Sequence, residues 1–389
     1  MFDAIKAAKP HRNSRACHKQ DNSRDSIPEH WKLHAEFSNQ FHLRKQTASI
    51  FISFSTVDSC RSIAGNAFRT TVKIKSYSLA IPQKGKPYRQ NMKEADLEKQ
   101  YAQFPEIKRS EVQKFVDWIH VQPHISAHFS EAEALHFFYA CRYSMEVAKQ
   151  VLDINLTART HLDEFFVNLD CERTEIRKAM KTVSVVPLPG ATPEGYRVII
   201  GKLDDLNASN FNYADCMKLY CMIFDYWMYE DGIQPGHVIV IDLKGCSLGH
   251  VARIGLLQMK KFLFYLQEAA AIRLIGFHFI NIVPFMDKIM ALMNPFMKKE
   301  LTNILYLHND INEFYKFVPL EMLPKDYGGP LEEASVAKEI YYKKMLDDRK
   351  QMLEFETRHQ VNEKLRPGKP KNASDLFGIE GNFKKLDID

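Results

Sequence analysis

The sequence lacks the cysteine pairs that bind zinc or build a disulfide framework. Its seven cysteines are scattered and none lies in a CxxC motif, which indicates reduced thiols. There is no run of about 18 uninterrupted apolar residues that would cross a membrane. The opening residues, MFDAIKAAKPHRNSR, also lack the apolar core of a signal peptide. We therefore expect a cytoplasmic protein that touches membranes only peripherally.

Motifs for cofactors and metals are missing as well. The chain contains no GxxxxGK[ST] loop, no GxGxxG after a strand, no HExxH and no paired metal-ligand spacing. The net charge of +5 is too small to indicate a nucleic-acid-binding surface, but it suits weak attraction to an anionic membrane. We expect no cofactor, no metal and no nucleic-acid partner.

The chain contains many large and flexible apolar side chains, and the spacing of its apolar residues changes along the sequence. Its 26 Phe and 15 Met suit either a plain core or an adaptable apolar pocket. Residues 1–85 are polar and lack a helical stripe, which predicts a disordered or loosely appended extension. Residues 86–180 carry apolar stripes at helical spacing. In this helical module, Ser130 followed by Glu133 predicts a capping box.

Beyond residue 181, short apolar runs rich in Val, Ile and Phe alternate with helical segments. The predicted strands are 196–203, 237–243, 277–282 and 304–308, and the predicted helices between them are 212–230, 249–268 and 285–303. This alternation predicts an α/β fold over residues 181–332, with a mostly parallel sheet covered by helices. Residues 333–389 predict a C-terminal helix followed by an extended tail.

The segment 285–298, called the gate segment below, is unusually apolar around its whole circumference. It contains four of the methionines, which form a pliable surface. Such a helix is either buried in a core or forms a lid between a lipid and a membrane. The aromatic helix 212–230 has the same two interpretations, as core or as the wall of a pocket.

One motif indicates an enzyme. Gly245–Gly249 matches G-x-S-x-G between a strand and a helix, the context of a nucleophile elbow. A hydrolase also needs an acid and then a histidine downstream, together with a glycine-rich oxyanion loop. His278 follows Ser247 without an intervening Asp, and Asp287 followed by His308 falls in segments that look structural. A serine hydrolase using Ser247 therefore stays an alternative, and we expect no enzyme.

Five stretches in order resemble the CRAL-TRIO family, over roughly residues 90–389. They are ALHFFYACRYSMEVAKQVLDINLTAR, VIVIDLKGCSLGH, AAAIRLIGFHFINIVPFMDKIM, NPFMKKEL and LEMLPKDYGGP. The resemblance implies a helical N-terminal module and an α/β lipid-binding domain whose pocket is closed by a mobile gate helix. It also implies that Asp242, Gly245, Ser247 and His250 form a structural turn.

The resemblance and the apolar patterns together define candidate sites. The expected cargo contacts are Tyr220, Phe224, Trp227, Ile239, Ile241, Phe262, Phe277, Phe279, Phe285, Ile289 and Leu292. The expected gate and membrane contacts are Phe285, Met286, Met290, Met293, Phe296, Lys298 and Lys299. Family members bind phosphoinositides through a basic cluster, of which Arg273 keeps its charge, whereas Glu300 and Ile304 stand at gate-side basic positions. Arg273 is therefore the candidate phosphoinositide contact.

These features predict a monomeric intracellular carrier. It binds one tocopherol-, retinoid- or carotenoid-like lipid in an internal pocket and transfers it between membranes through the gate segment. Besides the hydrolase, a membrane-recruited scaffold with a vestigial pocket stays open as an alternative.

Overall fold

A computed structural model describes residues 94–126 and 128–377 of the chain. The predicted extension 1–85 and the last residues of the tail lie outside this described part. The described part begins with six helices, of which the first four pack around an apolar core of their own and the last two pack into neighbouring clusters. These helices are α1 (Leu97–Gln103), α2 (Arg109–His120), α3 (Glu131–Ala140), α4 (Met145–His161), α5 (Asp163–Phe166) and α6 (Thr174–Thr182).

Local sequence signals explain where these helices begin. The Ser130 hydroxyl accepts a hydrogen bond from the Glu133 N–H (3.1 Å), and the Ser130 N–H donates to the Glu133 carboxylate (2.7 Å). This is the predicted capping box, which satisfies two N–H groups at the start of α3. The predicted apolar stripe of α2 is buried, at Val112, Phe115, Val116 and Ile119.

A five-stranded sheet follows, in the order β1-β2-β3-β4-β5. Its strands are β1 (Val183–Pro187), β2 (Tyr196–Leu203), β3 (Gly236–Asp242), β4 (Leu274–Ile280) and β5 (Leu305–Leu307). β1 pairs with β2 antiparallel, and the other three pairings are parallel. The mostly parallel α/β sheet is therefore confirmed. β1 was not predicted, because its five residues directly continue the helical segment.

Successive side chains on the strands face opposite sides of the sheet. Ile239 and Phe277, which are partners in the β3–β4 register, belong to one large apolar cluster. Their neighbours Val238 and Val240 belong to a separate cluster on the other face. The sheet is thus buried on both sides, which explains why its strands read as nearly continuous apolar runs.

Helices and short turns cover the sheet. They are α7 (Tyr213–Asp231), α8 (Leu248–Val251), α9 (Leu256–Phe264), α10 (Met286–Met293), α11 (Lys299–Asn303), α12 (Ile311–Phe314), α13 (Ala334–Asp347), α14 (Arg349–Arg358) and α15 (Ala373–Phe377). Several predicted helices are broken. Gly255 stands between α8 and α9, and Pro295 lies in the 3-10 turn between α10 and α11. A π turn, Tyr265–Ala269, ends α9.

A buried ion pair joins the helical module to the sheet-bearing part. Arg159 in α4 donates two hydrogen bonds to the Asp225 carboxylate in α7, one of them 2.8 Å long. The same guanidinium donates to Asn155 (3.1 Å) and to the Tyr265 hydroxyl (3.0 Å). Both charged side chains are buried. Because each charge is fully paired, the desolvation penalty of burying them is offset.

We expect Asp225→Ala to lower the free energy of unfolding by about 3–5 kcal/mol, because the Arg159 charge would be left buried without its partner. Urea denaturation of the purified protein measures this change. The matched control is Glu354→Ala, which breaks an exposed pair with Lys350 and should cost less than about 1 kcal/mol. Equal effects of the two substitutions would contradict the role given to the buried pair.

Candidate functional site

The eleven residues expected to contact cargo lie in one apolar cluster. Its floor is the face of β3 and β4, where Ile239 pairs with Phe277 and Ile241 pairs with Phe279. The wall is formed by α7 and α9, which contribute Tyr220, Phe224, Trp227 and Phe262, and the gate segment contributes Phe285, Ile289 and Leu292. The structure therefore brings the whole predicted set together, as floor, wall and cover.

Several apolar side chains of this cluster are only partly buried. Ile241 lies on the central strand between Gly201 and Phe279, yet its side chain is only half-buried. A Cβ atom at Gly201 would stand 3.5 Å from the Ile241 Cδ1 atom, so the glycine leaves space on this face. Phe262 and Leu292 are also only half-buried. The cluster thus presents accessible apolar surface at the sheet face.

One side of helix α10, which lies in the gate segment, faces the apolar cluster. Met286, Ile289 and Met293, at helical spacing, are buried, whereas Asp287 and Lys288 are exposed. Among the expected membrane contacts, Phe285, Met290 and Phe296 are half-buried, and Lys298 and Lys299 are exposed. Met286 and Met293 would reach a membrane only after the helix moves.

Polar contacts fix the C-terminal end of the gate segment. The Gln267 amide donates to the Phe296 carbonyl (2.9 Å) and accepts a hydrogen bond from the Lys298 N–H (2.7 Å). The Lys298 ammonium also forms an ion pair with Glu268. Gln267 and Glu268 both belong to the π turn that ends α9. The π turn is therefore hydrogen-bonded to the C-terminal end of the gate segment.

At the other end, the chain enters the gate segment through a strained residue. Asn281 has φ of +49°, a left-handed conformation that is uncommon outside glycine. Its side-chain amide donates to the Asp242 carboxylate (2.8 Å), which also accepts a hydrogen bond from the Tyr327 hydroxyl (3.1 Å). Asp242, at the end of β3, thus anchors the segment that leads into the gate.

Gln267, Glu268 and Asn281 were not among the predicted site residues. A regular helix over 249–268 would place Gln267 and Glu268 on the solvent face. The π turn adds a residue to the helical repeat and so changes the direction of the side chains within it. Residue type alone carried no signal for this change.

Ser247 lies in a short capping arrangement. Its hydroxyl is 2.8 Å from His250 Nδ1, and the same nitrogen accepts a hydrogen bond from the Ser247 N–H (3.1 Å). His250 Nε2 is buried and has no hydrogen-bond partner within the described residues. A catalytic histidine needs an acid at its second nitrogen. Gly245 before this pair has φ of +79°, which glycine adopts without strain.

His278 and His308 lie away from Ser247, on the opposite face of the sheet. Their Nδ1 and Nε2 atoms are 2.8 Å apart, so the two imidazoles are hydrogen-bonded to each other. Burial lowers the pKa of His278 to about 3. Both side chains are buried, and they serve as each other's partner.

Arg273 is engaged by the helical module. Its guanidinium lies 3.5 Å from the centroid of the Tyr139 ring, and its Nε donates to the Tyr139 carbonyl (3.0 Å). Cation–π contact and hydrogen bonding together hold the side chain at the module. A phosphoinositide contact at Arg273 stays a prediction.

A second feature is a cavity between α3, α4, α7 and α14. Its volume is about 80 Å³, and it is partly open to solvent. Its walls include His136, Asn155, Tyr229, Ile272 and His359. Of the expected cargo contacts, Phe224 borders this cavity. The cavity therefore meets the apolar cluster at Phe224.

Two kinds of site, for a metal ion and for crossing a membrane, are absent from the described residues. Residues 94–126 and 128–377 contain no group of three or more His, Cys, Asp or Glu side chains arranged to hold a metal ion. No helix in this part of the chain combines the length and the apolar character that crossing a bilayer requires.

Comparison with known proteins gives two domain matches. Residues 181–329 match the CRAL/TRIO domain, and residues 104–176 match the Pinta-like UBA domain. Alpha-tocopherol transfer protein-like from Homo sapiens is 27% identical over 236 residues, which cover 60% of this chain and 68% of that protein. Clavesin-1 from Mus musculus is 21% identical over 230 residues, covering 58% of this chain and 65% of that protein.

The resemblance to the CRAL-TRIO family inferred from the sequence is therefore confirmed by the domain match over residues 181–329 and by the similar proteins. A crystal structure of Sfh5 aligns with 54% of this chain and 76% of its own, at 10% identity and a TM-score of 0.38. That likeness is too low to support an argument.

We expect a fluorophosphonate probe to leave the wild-type protein unlabelled, because His250 has no acid to orient it. Ser247→Ala should remove the cap of α8 and lower the free energy of unfolding by about 1 kcal/mol. In-gel fluorescence measures the labelling, and thermal denaturation measures the stability. Labelling of the wild type that disappears in Ser247→Ala would favour the hydrolase alternative.

Proposed function

We propose that this protein is a cytoplasmic, peripherally membrane-associated and monomeric carrier of a single hydrophobic lipid. The cargo is tocopherol-, retinoid- or carotenoid-like, and it enters and leaves beneath the gate segment. The match to the CRAL/TRIO domain supports the lipid-binding part of this proposal. The lipid-binding domain would span 181–332, between a helical module at 86–180 and the C-terminal region 333–389.

One observation supports the proposal most directly. Apolar side chains of the sheet, of α7 and of the gate segment face one another around Ile241, whose surface is not fully covered by protein. A solid core would bury this central-strand residue completely. The half-buried side chains leave apolar surface for a ligand to cover.

The physical need for such a site follows from the hydrophobic effect. Each methylene exposed to water costs about 0.8 kcal/mol, so a twenty-carbon lipid faces roughly 15 kcal/mol in leaving a membrane unaided. A protein that keeps the chain in apolar surroundings removes most of this barrier. The gate segment must therefore open toward the membrane and not toward water.

The outer side of the gate segment suits an anionic membrane surface. Lys288, Lys298 and Lys299 are exposed there, and basic residues at such a surface contribute about 1 kcal/mol each. Phe285, Met290 and Phe296, half-buried beside them, would enter the interface as the gate opens. Opening requires that Lys298 leave Glu268 and that Gln267 release the backbone of the gate segment.

Substituting Phe285 or Ile289 with Asp should reduce lipid transfer between vesicles at least about tenfold, because a carboxylate in this apolar cover would have to be desolvated. Transfer of a pyrene-labelled lipid between donor and acceptor vesicles measures the rate. The control is Val121→Asp, which adds the same charge at an exposed position of α2's C-terminus. Undiminished transfer in both gate variants would remove the gate segment from the proposal. Vesicle binding without transfer by the wild type would favour the scaffold.

Gln267→Leu should speed the release of bound lipid by about tenfold. The substitution removes the two hydrogen bonds to the gate segment, and each is worth about 1 kcal/mol in the closed state. Stopped-flow fluorescence of a preloaded pyrene lipid, mixed with excess vesicles, measures the rate. Gln258→Leu, in helix α9 just before the π turn, is the matched control and should leave release unchanged. Equal rates for all three proteins would show that Gln267 does not hold the gate segment closed.

A further inference from the structure

The cavity between α3, α4, α7 and α14 is lined by buried polar side chains that lack hydrogen-bond partners. Gln100 from α1 and Glu133 from α3 both line it, and they are 5% and 8% exposed. Gln100 Nε2 and Glu133 Oε1 have no hydrogen-bond partner within the described residues. Unpaired polar atoms at this depth are rare in folded proteins. Two of them around one cavity indicate a partner outside the chain.

The orientation of the Gln100 amide is fixed by the backbone. Its Oε1 atom accepts a hydrogen bond from the Ile233 N–H (2.8 Å). Exchanging the oxygen and nitrogen atoms of the amide would set two donors against each other, so the unpaired atom is the nitrogen. Gly232 leaves the space for this amide, because a Cβ atom at Gly232 would stand 2.5 Å from Gln100 Oε1. Gln100 therefore offers N–H donors to the cavity.

Glu133 and His359 offer acceptors. Glu133 Oε2 accepts a hydrogen bond from the Ser130 N–H (2.7 Å), which leaves Oε1. His359 Nδ1 is 2.8 Å from the Phe355 carbonyl, which only accepts, so Nδ1 carries the proton. Burial lowers the pKa of His359 well below its ordinary value, so the ring is neutral and Nε2 is an acceptor. This Nε2 atom lies 3.4 Å from Glu133 Oε1. Two acceptors thus face each other.

The charges around the cavity favour a cation. Asp225 is paired with Arg159. Glu133 Oε1 forms an ion pair with Arg358 Nη2 at 3.1 Å, without hydrogen-bond geometry. Glu94 is a third carboxylate in the lining. Among the described residues at this place, carboxylates therefore outnumber guanidinium groups. An ammonium group can donate to both facing acceptors through charge-assisted hydrogen bonds.

The size of the cavity limits its occupant. Its volume of about 80 Å³ has room for about five to eight water-sized groups. The rings of Phe137, Tyr229 and Phe355 form part of the wall, and aromatic rings attract cations. The occupant is thus a short molecule with an ammonium group, few carbon atoms and an acceptor for the Gln100 N–H donors.

We propose that this cavity is a second ligand site, separate from the cargo site, for a small amino alcohol such as ethanolamine. The ammonium group donates to Glu133 Oε1 and His359 Nε2, and the hydroxyl oxygen accepts from Gln100 Nε2. The ligand joins α1 and α3 of the helical module to the C-terminal end of α14. This inference does not depend on the carrier function, because it uses none of the cargo contacts to hold the ligand.

Four probes of nearly equal size test the assignment: ethanolamine, propylamine, ethylene glycol and acetate. Saturation-transfer NMR titration into the full-length protein at pH 7.4 measures each Kd. We expect ethanolamine to bind with a Kd of about 1 mM or tighter. Propylamine should bind about tenfold more weakly, because a methyl group replaces the hydroxyl. Ethylene glycol lacks the charge and acetate has the wrong sign, so both should bind more weakly than either amine.

Two variants separate the two ends of the ligand. Glu133→Gln keeps a side chain that completes the capping box but removes the charge, so both amines should bind at least about tenfold more weakly. Gln100→Met removes the N–H donors, so ethanolamine should lose its advantage over propylamine. The control is Glu111→Gln, on α2 and paired with Lys114 outside the cavity, which should leave both affinities unchanged. Thermal denaturation identifies a variant that fails to fold, and either variant alone suffices.

A proton is the competing occupant of Glu133. Burial raises the pKa of this carboxyl, and Arg358, His359 and Glu94 also face it. A proton on Oε1 would donate to His359 Nε2 and satisfy both acceptors. Proton and ammonium compete for the same atom, so ethanolamine binding should weaken as the pH falls below neutral. Binding that strengthens at acid pH would contradict the assignment.

O-phosphoethanolamine distinguishes a free amino alcohol from a phospholipid headgroup. Its phosphate would lie among the carboxylates, so it should bind more weakly than ethanolamine. Tighter binding of O-phosphoethanolamine or of acetate would overturn the proposal. Failure of both amines to bind the wild type would leave water or a proton as the occupant and would also overturn it. Undiminished binding in both variants would place the amine elsewhere, and the lipid-transfer assay tests the carrier function independently of all these outcomes.

Discussion

The apolar face formed by β3 and β4 is the surface on which the rest of the molecule depends. Ile239, Ile241, Phe277 and Phe279 lie side by side on it, and such a surface is stable only when it is withdrawn from water. Helix α7 covers part of it permanently, through side chains that are buried in the core. The gate segment covers another part through a short helix. The proposed gate function assigns the fixed wall to α7 and the movable cover to the gate segment.

Directional contacts and apolar contacts have different roles here. Apolar packing is not directional, so the inner side of the gate segment would accept lipid or membrane in place of the sheet. The hydrogen bonds between Gln267 and the backbone of the gate segment, together with the Asn281–Asp242 contact, fix the position of the gate segment in this structure. The π turn that carries Gln267 also carries Tyr265, which accepts a hydrogen bond from Arg159. The element that holds the gate segment is therefore tied to the buried ion pair.

Much of the fold could be predicted from the sequence. Apolar residues that repeat every two positions in a strand, or every 3.6 in a helix, indicate which side of the element is buried. The parallel strands and the shared cluster of the eleven expected cargo contacts both follow from those patterns. The antiparallel strand β1 could not be predicted in this way, since its five residues directly continue the helical segment that ends at Thr182. The breaks in the predicted helices, and the turn of Gln267 toward the gate, also depend on packing that no local pattern contains.

By itself, the sequence determined the class of fold, the apolar character of the gate segment and the resemblance to the CRAL-TRIO family. These depend on residue type and spacing, which local physics converts into helices, strands and buried faces. Only the tertiary structure decided which polar atoms find partners. Gln267 is satisfied by the backbone of the gate segment, and His278 is satisfied by His308. The reason is that hydrogen-bond partners are set by distances across the fold, which one-dimensional spacing does not contain.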